Sequence, residues 1–261
     1  MENLSTNPYQ APEAELDPVI DPQNLAFGDP QKKPVGHGWQ WIKDAFALFK
    51  HSPGGWIITM LIGLVLFVAI SLIPIIGGLF MMLTTYVWAA GLVHGCGEQE
   101  KGNKFKLSYL FAGFKLAPGK LIGLSFVISI VSAVIMIACV GSVYMDLITG
   151  AGNPDAIIGQ DPLKFALSML IGFALYLPLM MAGWFAPALI IFHQFSIFKA
   201  MKASFSGCLR NIMPFLVYGI IFFVFFILAI IPIGLGYLIV MPMMYASMYT
   251  AYKDIYLRQG E

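Results

Sequence analysis

The chain has 261 residues, of which 59% are hydrophobic and 11% charged, with a mean hydropathy of +0.79 and a net charge near +1. That balance excludes an ordinary soluble domain, and the near-zero net charge gives no case for binding nucleic acid. No segment alternates apolar and polar residues over the roughly ten positions of a membrane barrel strand, so any spans are helical, the one alternative in which each segment satisfies its own backbone.

In chain order, residues 1–36 are rich in Pro, Asp, Asn and Gln with almost no apolar run, which predicts a disordered tail. The tail has no apolar signal segment, so the first span acts as its own insertion signal and leaves the tail in the cytoplasm. A membrane domain over residues 37–261 follows. It opens with a basic amphipathic segment, Trp39 to Lys50, stopped by Pro53-Gly54, and continues into spans near residues 55–73 and 79–97. The same order recurs with Phe105 to Leu116, Pro118-Gly119 and spans near 121–145 and 165–192. It recurs again with Ile197 to Asn211, Pro214 and spans near 215–231 and 235–252. Each stretch approaches or exceeds the length of about 20 apolar residues that a helical span needs. The pattern predicts an all-α integral membrane protein of six transmembrane helices in three repeat units, about 37–97, 105–192 and 197–257.

The hairpin turns carry the same signature. Ile73-Pro74-Ile75-Ile76-Gly77-Gly78 matches Ile231-Pro232-Ile233-Gly234-Leu235-Gly236 at an offset of 158 residues, with proline ending a helix and glycine permitting reversal. The middle unit lacks this turn and has a longer acidic loop, Asp146 to Pro162. Fourteen of the fifteen lysines and arginines fall in clusters on one side of this arrangement, Lys164 being the exception. The bias places both termini in the cytoplasm.

Apolar residues at three- and four-residue intervals with lysines opposite predict surface helices in the headgroup plane. Their candidate lipid-facing residues are Trp39, Trp41, Phe46, Phe49, Phe111, Phe114, Phe198 and Phe205, with Lys43, Lys199, Lys202 and Arg210 toward anionic lipid. Pro74, Pro178, Pro187, Pro232 and Pro242 are candidate helix breaks. Ser125, Ser129 and Ala133, Gly91-x-x-x-Gly95 and Ala182-x-x-x-Ala186 have the spacing that lets membrane helices approach closely.

No Asp, Glu, Lys or Arg falls within a predicted span, and no catalytic signature, cofactor motif or convergent metal set is present. His94, Cys96 and His193 are too few and too scattered for a metal centre. Membrane lipids are the expected partners, with a protein partner reached through the tail or the surface helices as a further possibility, and self-association left open. The competing expectation is a carrier or channel for a neutral or apolar solute passing near Pro178, Pro187 and Pro242.

Gly38-Trp39-Gln40-Trp41-Ile42-Lys43, Leu110 to Phe114, and the stretch from Ala186-Pro187-Ala188-Leu189 to Ala200-Met201-Lys202-Ala203-Ser204-Phe205 resemble a group of uncharacterised bacterial multi-pass inner-membrane proteins. That group is distantly similar to the membrane domain of some bacterial glycerophosphodiester phosphodiesterases. The resemblance covers about residues 37 to 257 and implies the fold; the phosphodiesterase barrel and its metal-binding carboxylates have no counterpart here. Asn7-Pro8-Tyr9-Gln10-Ala11-Pro12 resembles an opening found on other bacterial multi-pass proteins and implies a docking motif. The expected role is non-enzymatic, in membrane or lipid homeostasis or as an accessory subunit of a membrane assembly.

Overall fold

Three one-residue elbows organise the chain. A computed structural model describes residues 25–141 and 162–259. Helix α1 (His37–His51) ends at Ser52, where φ is −150° and ψ 63°, and α2 (Pro53–Ser71) begins at once with proline in its first turn. The short helix α4 (Gly113–Leu116) ends the same way at Ala117, φ −156° and ψ 52°, before α5 (Pro118–Val140). Both elbows have one cause. A residue before proline is pushed out of the helical region, while proline itself suits the first turn of the next helix. The third elbow is Asn211, between α8 (Ile197–Arg210) and α9 (Ile212–Ile230), with Pro214 two residues into the helix.

The other elements are β1 (Leu25–Phe27), α3 (Ile76–Glu100), a 3-10 segment Leu107–Phe111, α6 (Pro162–Trp184), α7 (Ala186–His193), α10 (Tyr237–Tyr256) and β2 (Leu257–Gln259). Among the described residues, five stretches are long and apolar enough to cross a membrane: α2, α3, α5, the run Phe165–His193 across α6 and α7, and α9. The expected helix over Phe105 to Leu116 is instead the 3-10 segment plus α4. The acidic loop from residue 146 and the tail motif at residues 7–12 lie outside the described residues.

Each surface segment packs on a hairpin other than the one it leads into. Helix α1 lies along α9 and α10, the 3-10 segment and α4 lie on α2 and α3, and α8 lies on α6. Bare backbone makes these approaches close. A side chain at Gly38 would strike the Pro214 carbonyl, one at Gly113 the Val87 carbonyl, and one at Gly91 the Tyr109 carbonyl. The Gly91-x-x-x-Gly95 spacing therefore serves the 3-10 segment rather than a second membrane helix, since Gly95 faces the Phe105 ring. Ser125 does join two long helices, accepting a bond from the Tyr86 N–H at 3.3 Å.

The core gathers where the helices meet the surface segments. Trp41, Trp56, Phe185, Tyr252 and Tyr256 are fully buried there, whereas α2 buries only Trp56 and Thr59. Buried indoles need acceptors. Trp56 Nε1 donates to Gln99 Oε1 at 3.0 Å, Gln99 Nε2 donates to the Leu48 carbonyl at 3.0 Å, and Phe105 stacks on Trp56 with ring centroids 3.6 Å apart. Trp41 Nε1 donates to Asp254 Oδ2 at 2.7 Å, and Thr250 donates to the Trp41 carbonyl.

Asp254 also holds the segment before α1. Its Oδ1 accepts from Lys33 Nζ at 2.8 Å, and its Oδ2 lies 2.7 Å from His37 Nδ1. Asn211, fully buried, accepts from the Lys33 N–H and donates to the Gln31 carbonyl. Strand β1 pairs antiparallel with β2, and the Phe27 ring packs on His193, Phe195 and Tyr256. Residues 25–36, expected as part of a disordered tail, are thus strapped across the helix ends. Composition misses this because partners in β2 and Asp254 lie more than 200 residues away.

Asp254 lies beyond the apolar part of α10. Burial raises its affinity for a proton, but hydrogen bonds from Lys33, Trp41 and His37 outweigh that and hold the carboxyl below its ordinary value. A depressed carboxyl stabilises the fold above its ordinary value of 3.8 and loses that contribution as pH falls through the folded value. We therefore expect the strap to become protease-sensitive only below about pH 4. Asp254→Ala, which orphans the Trp41 N–H, is expected to cost about 1–3 kcal/mol in unfolding at neutral pH, with Asp254→Asn recovering part of it.

Candidate functional site

Two kinds of cavity lie in the bundle. The polar one, about 330 Å³, sits where α3, α7 and α10 meet beneath the strap and is lined by His94, Glu98, Glu100, Lys101, His193, Tyr249 and Tyr252 among others. Its groups are largely committed to one another. Glu100 accepts from Lys253 Nζ at 2.6 Å and from Tyr249 Oη at 2.9 Å. Glu98 accepts from Lys101 and Asn103, and His193 Nε2 lies 2.6 Å from Tyr252 Oη. Such mutual pairing holds three helix ends together and leaves few free donors for a ligand. Sequence reasoning named His94 and His193 but missed that α10 supplies their companions. The signal was Tyr249 and Lys253, four residues apart and so on one helical face toward Glu100.

The apolar cavities are grooves between membrane helices. One of about 380 Å³ lies between α2, α3 and α10, lined by Met60, Gly63, Phe67, Trp88 and Met241 among others. A second, about 460 Å³, lies between α1, α9 and α10, with Trp39, Lys43, Phe46, Phe225, Ile239 and Met243 in its wall. A third, about 390 Å³, lies between α6, α8 and α9, lined by Met180, Trp184, Cys208, Phe215 and Tyr218. Lys43 is the one charged residue lining these three grooves. Trp184 Nε1 is buried without a hydrogen-bond partner among the described residues. Its ring stands nearly perpendicular to Phe215 and Tyr218, 84° from each.

The expected lipid-facing residues divide. Trp39, Phe46, Phe111 and Phe198 are exposed, Phe198 to 72%, and Lys43, Lys199, Lys202 and Arg210 are exposed beside them. Trp41 and Phe49 are corrections, being 1% and 7% exposed, because α1 turns that face onto α10. Phe114 and Phe205 are half-buried, Phe114 edge-on to Trp88. Arg210 reaches the Pro30 carbonyl in the strap, and Lys199 lies 3.9 Å over the Phe195 ring.

The proline positions also divide. Pro74 and Pro232 stand in the tight turns. Pro187 opens α7 after the interruption at Phe185, and Ser204 takes up the interrupted backbone, accepting from the Phe185 N–H and donating to the Met181 carbonyl. Pro178 and Pro242 lie inside continuous helices, a correction to the expected breaks there. Pro178 faces outward, while Pro187 and Pro242 are buried.

A protein of Burkholderia thailandensis named as a probable inner membrane protein is similar to this chain, 28% identical over 247 residues, covering 84% of this chain and 90% of its own length. No family model matches, and no solved structure does. With five helices of membrane-crossing length and composition, that similarity supports a bacterial inner-membrane protein.

Proposed function

We propose that this is a non-enzymatic, lipid-handling protein of the inner membrane, its grooves holding acyl chains and its basic surface segments meeting the cytoplasmic headgroups. The observation that carries the reading is the set of three grooves lined almost wholly by apolar side chains, one of them bordered by Lys43. Their volumes fall within the range of about 300–1,000 Å³ usual for small-molecule sites. In the α1, α9 and α10 groove, a chain would lie along Phe225, Ile239 and Met243 and bring its phosphate toward Lys43, where a lysine near an anionic surface is worth roughly 1 kcal/mol.

We read the membrane domain as six bilayer-embedded helices in three units, with both termini on the basic face. The two elbows set by a following proline, the twin Ile-Pro-Ile turns and the packing of each surface segment on another unit's hairpin support it. The competing carrier needs a polar route near Pro178, Pro187 and Pro242, and the burial of Pro187 and Pro242 in apolar packing favours the grooves instead. Phe198, Lys199 and Lys202 offer a surface for an accessory role beside a membrane partner.

Native mass spectrometry of gently extracted protein tests the reading. Anionic phospholipid should remain bound selectively, and Lys43→Gln should weaken that retention about fivefold, the equivalent of roughly 1 kcal/mol. Ile239→Trp, which fills the groove from an exposed position, should displace the chain without unfolding the bundle. Retention equal to that of an unrelated membrane protein, unchanged by both substitutions, would remove the reading and shift attention to solute flux in liposomes.

A further inference from the structure

The groove between α2, α3 and α10 is built from helix faces. Thr59, Gly63, Phe67 and Ile70 recur at three- and four-residue intervals along α2, and Met241 and Tyr245 stand one turn apart on α10. From Thr59 to Ile70 the α2 wall rises about 16 Å at 1.5 Å per residue. Gly63 gives the trough its width. A Cβ there would meet only Leu110 Cδ2, at 3.8 Å, so the space over the glycine belongs to the groove and not to a packed neighbour. Leu64 and Phe67 border it, each more than half exposed, and no charged side chain is among its lining residues.

Four of the lining side chains carry a hydrogen-bond donor: Thr59, Thr85, Trp88 and Tyr245. Three are committed. Thr59 Oγ1 donates to the Gly55 carbonyl at 2.7 Å, Thr85 Oγ1 to the Met81 carbonyl at 2.8 Å, and Trp88 Nε1 to Thr84 Oγ1 at 2.9 Å. The Tyr245 hydroxyl has no hydrogen-bond partner among the described residues. The one side-chain polar atom there that is both sealed from solvent and unpartnered is Trp184 Nε1. Tyr245 Oη is therefore open to an approaching group, and the groove that its side chain lines is the approach.

Chemistry narrows what fits. A hydroxyl among apolar side chains with no water to bond stays costly until an acceptor reaches it. An anionic head would be buried in this groove without a cation, a larger cost than the bond repays. An alcohol brings a donor of its own that needs a second partner, whereas a carbonyl oxygen is satisfied by a single donor.

We propose that this groove is a site for an uncharged lipid whose carbonyl oxygen accepts from the Tyr245 hydroxyl while its chain lies along Gly63 and Phe67. The proposal rests on the reading of the grooves as acyl-chain sites and divides them by headgroup: the groove beside Lys43 takes a charged one, and this groove takes an uncharged carbonyl. An acyl ester and a prenyl quinone both offer that oxygen.

Native mass spectrometry of the full-length protein with methyl oleate and with oleyl methyl ether, which keeps the chain and lacks the carbonyl, tests the site. The ester should be retained about fivefold better than the ether, the size of one net hydrogen bond. Tyr245→Phe keeps the ring and removes the hydroxyl, and should erase that difference without lowering the melting temperature. Gly63→Leu should expel both probes by filling the trough. Phosphatidylglycerol retention should fall with Lys43→Gln and be indifferent to Tyr245→Phe. Competition against methyl oleate by dioleoylglycerol or by a prenylated benzoquinone assigns the source of the carbonyl, and displacement by neither would overturn the site. Equal retention of ester and ether, or a difference that survives Tyr245→Phe, would overturn it as well. Phosphatidylglycerol weakened by Tyr245→Phe as much as methyl oleate would overturn the selection for an uncharged ligand. In each of these cases phosphatidylglycerol still held through Lys43 leaves the grooves as lipid sites. Retention of every lipid at the level of an unrelated membrane protein, unmoved by Gly63→Leu and Lys43→Gln, would remove that reading too.

Discussion

A polypeptide in hydrocarbon has to satisfy its own N–H and C=O groups, and the architecture of this chain follows from how it meets that demand where helices stop. At Ser52 and Ala117 both elbow residues are buried, and the adjoining helices supply the bonds: their N–H groups donate back to Phe49 and Gly113 and their carbonyls accept from Trp56 and Leu121. At Phe185 it lies within the bundle, and Ser204 supplies both missing partners from a neighbouring helix. At the two Ile-Pro-Ile turns there is no neighbour, and the turn bonds to itself, with proline deleting a donor and isoleucine accepting a strained φ. Three environments give three solutions to one constraint.

Polar chemistry is concentrated accordingly. The charged and indole interactions that fix one helix against another, Trp41 with Asp254, Trp56 with Gln99, Glu100 with Lys253 and Tyr249, lie at the end where surface segments and helix termini meet, while smaller hydroxyl contacts, Ser125 with Tyr86 and Tyr218 with Ser247, join the helices beyond it. There each charge finds a partner without being dragged into the bilayer. Deeper in, lipid tails are as apolar as leucine, so side-chain hydrophobicity no longer drives helices together. The hairpins are free to separate, and grooves open between them. Tight at one end and open at the other is therefore the expected form of a bundle glued by polar knots near one interface.

Much of this was legible in the sequence. The proline elbows, the long helices and the twin turns are local, and local signals survive without knowledge of the fold. The surface segments were legible only as amphipathic. Which residues face lipid depends on what else competes for the apolar side, and α1 gives Trp41 to α10, where Asp254 and Thr250 bond it, while bare Gly38 lets α1 approach α9 at Pro214. The strap, the Asp254 latch and the polar cavity were not legible, since their partners are separated by about the whole length of the domain. Proline was over-read: Pro178 and Pro242 sit inside intact helices, for one missing bond can be tolerated where neighbours support the turn.

The division between basic surface segments and apolar grooves bears on what this protein can do. A lipid chain entering such a groove exchanges contact with other chains for walls rich in Phe, Met and Trp. Exchanging one apolar contact for another costs little, so retention would rest on the headgroup at Lys43, and lipid could enter and leave a groove without crossing a large barrier. Weak, headgroup-selected holding of chains is the behaviour that this distribution of charge and apolar groove favours over tight capture or solute passage.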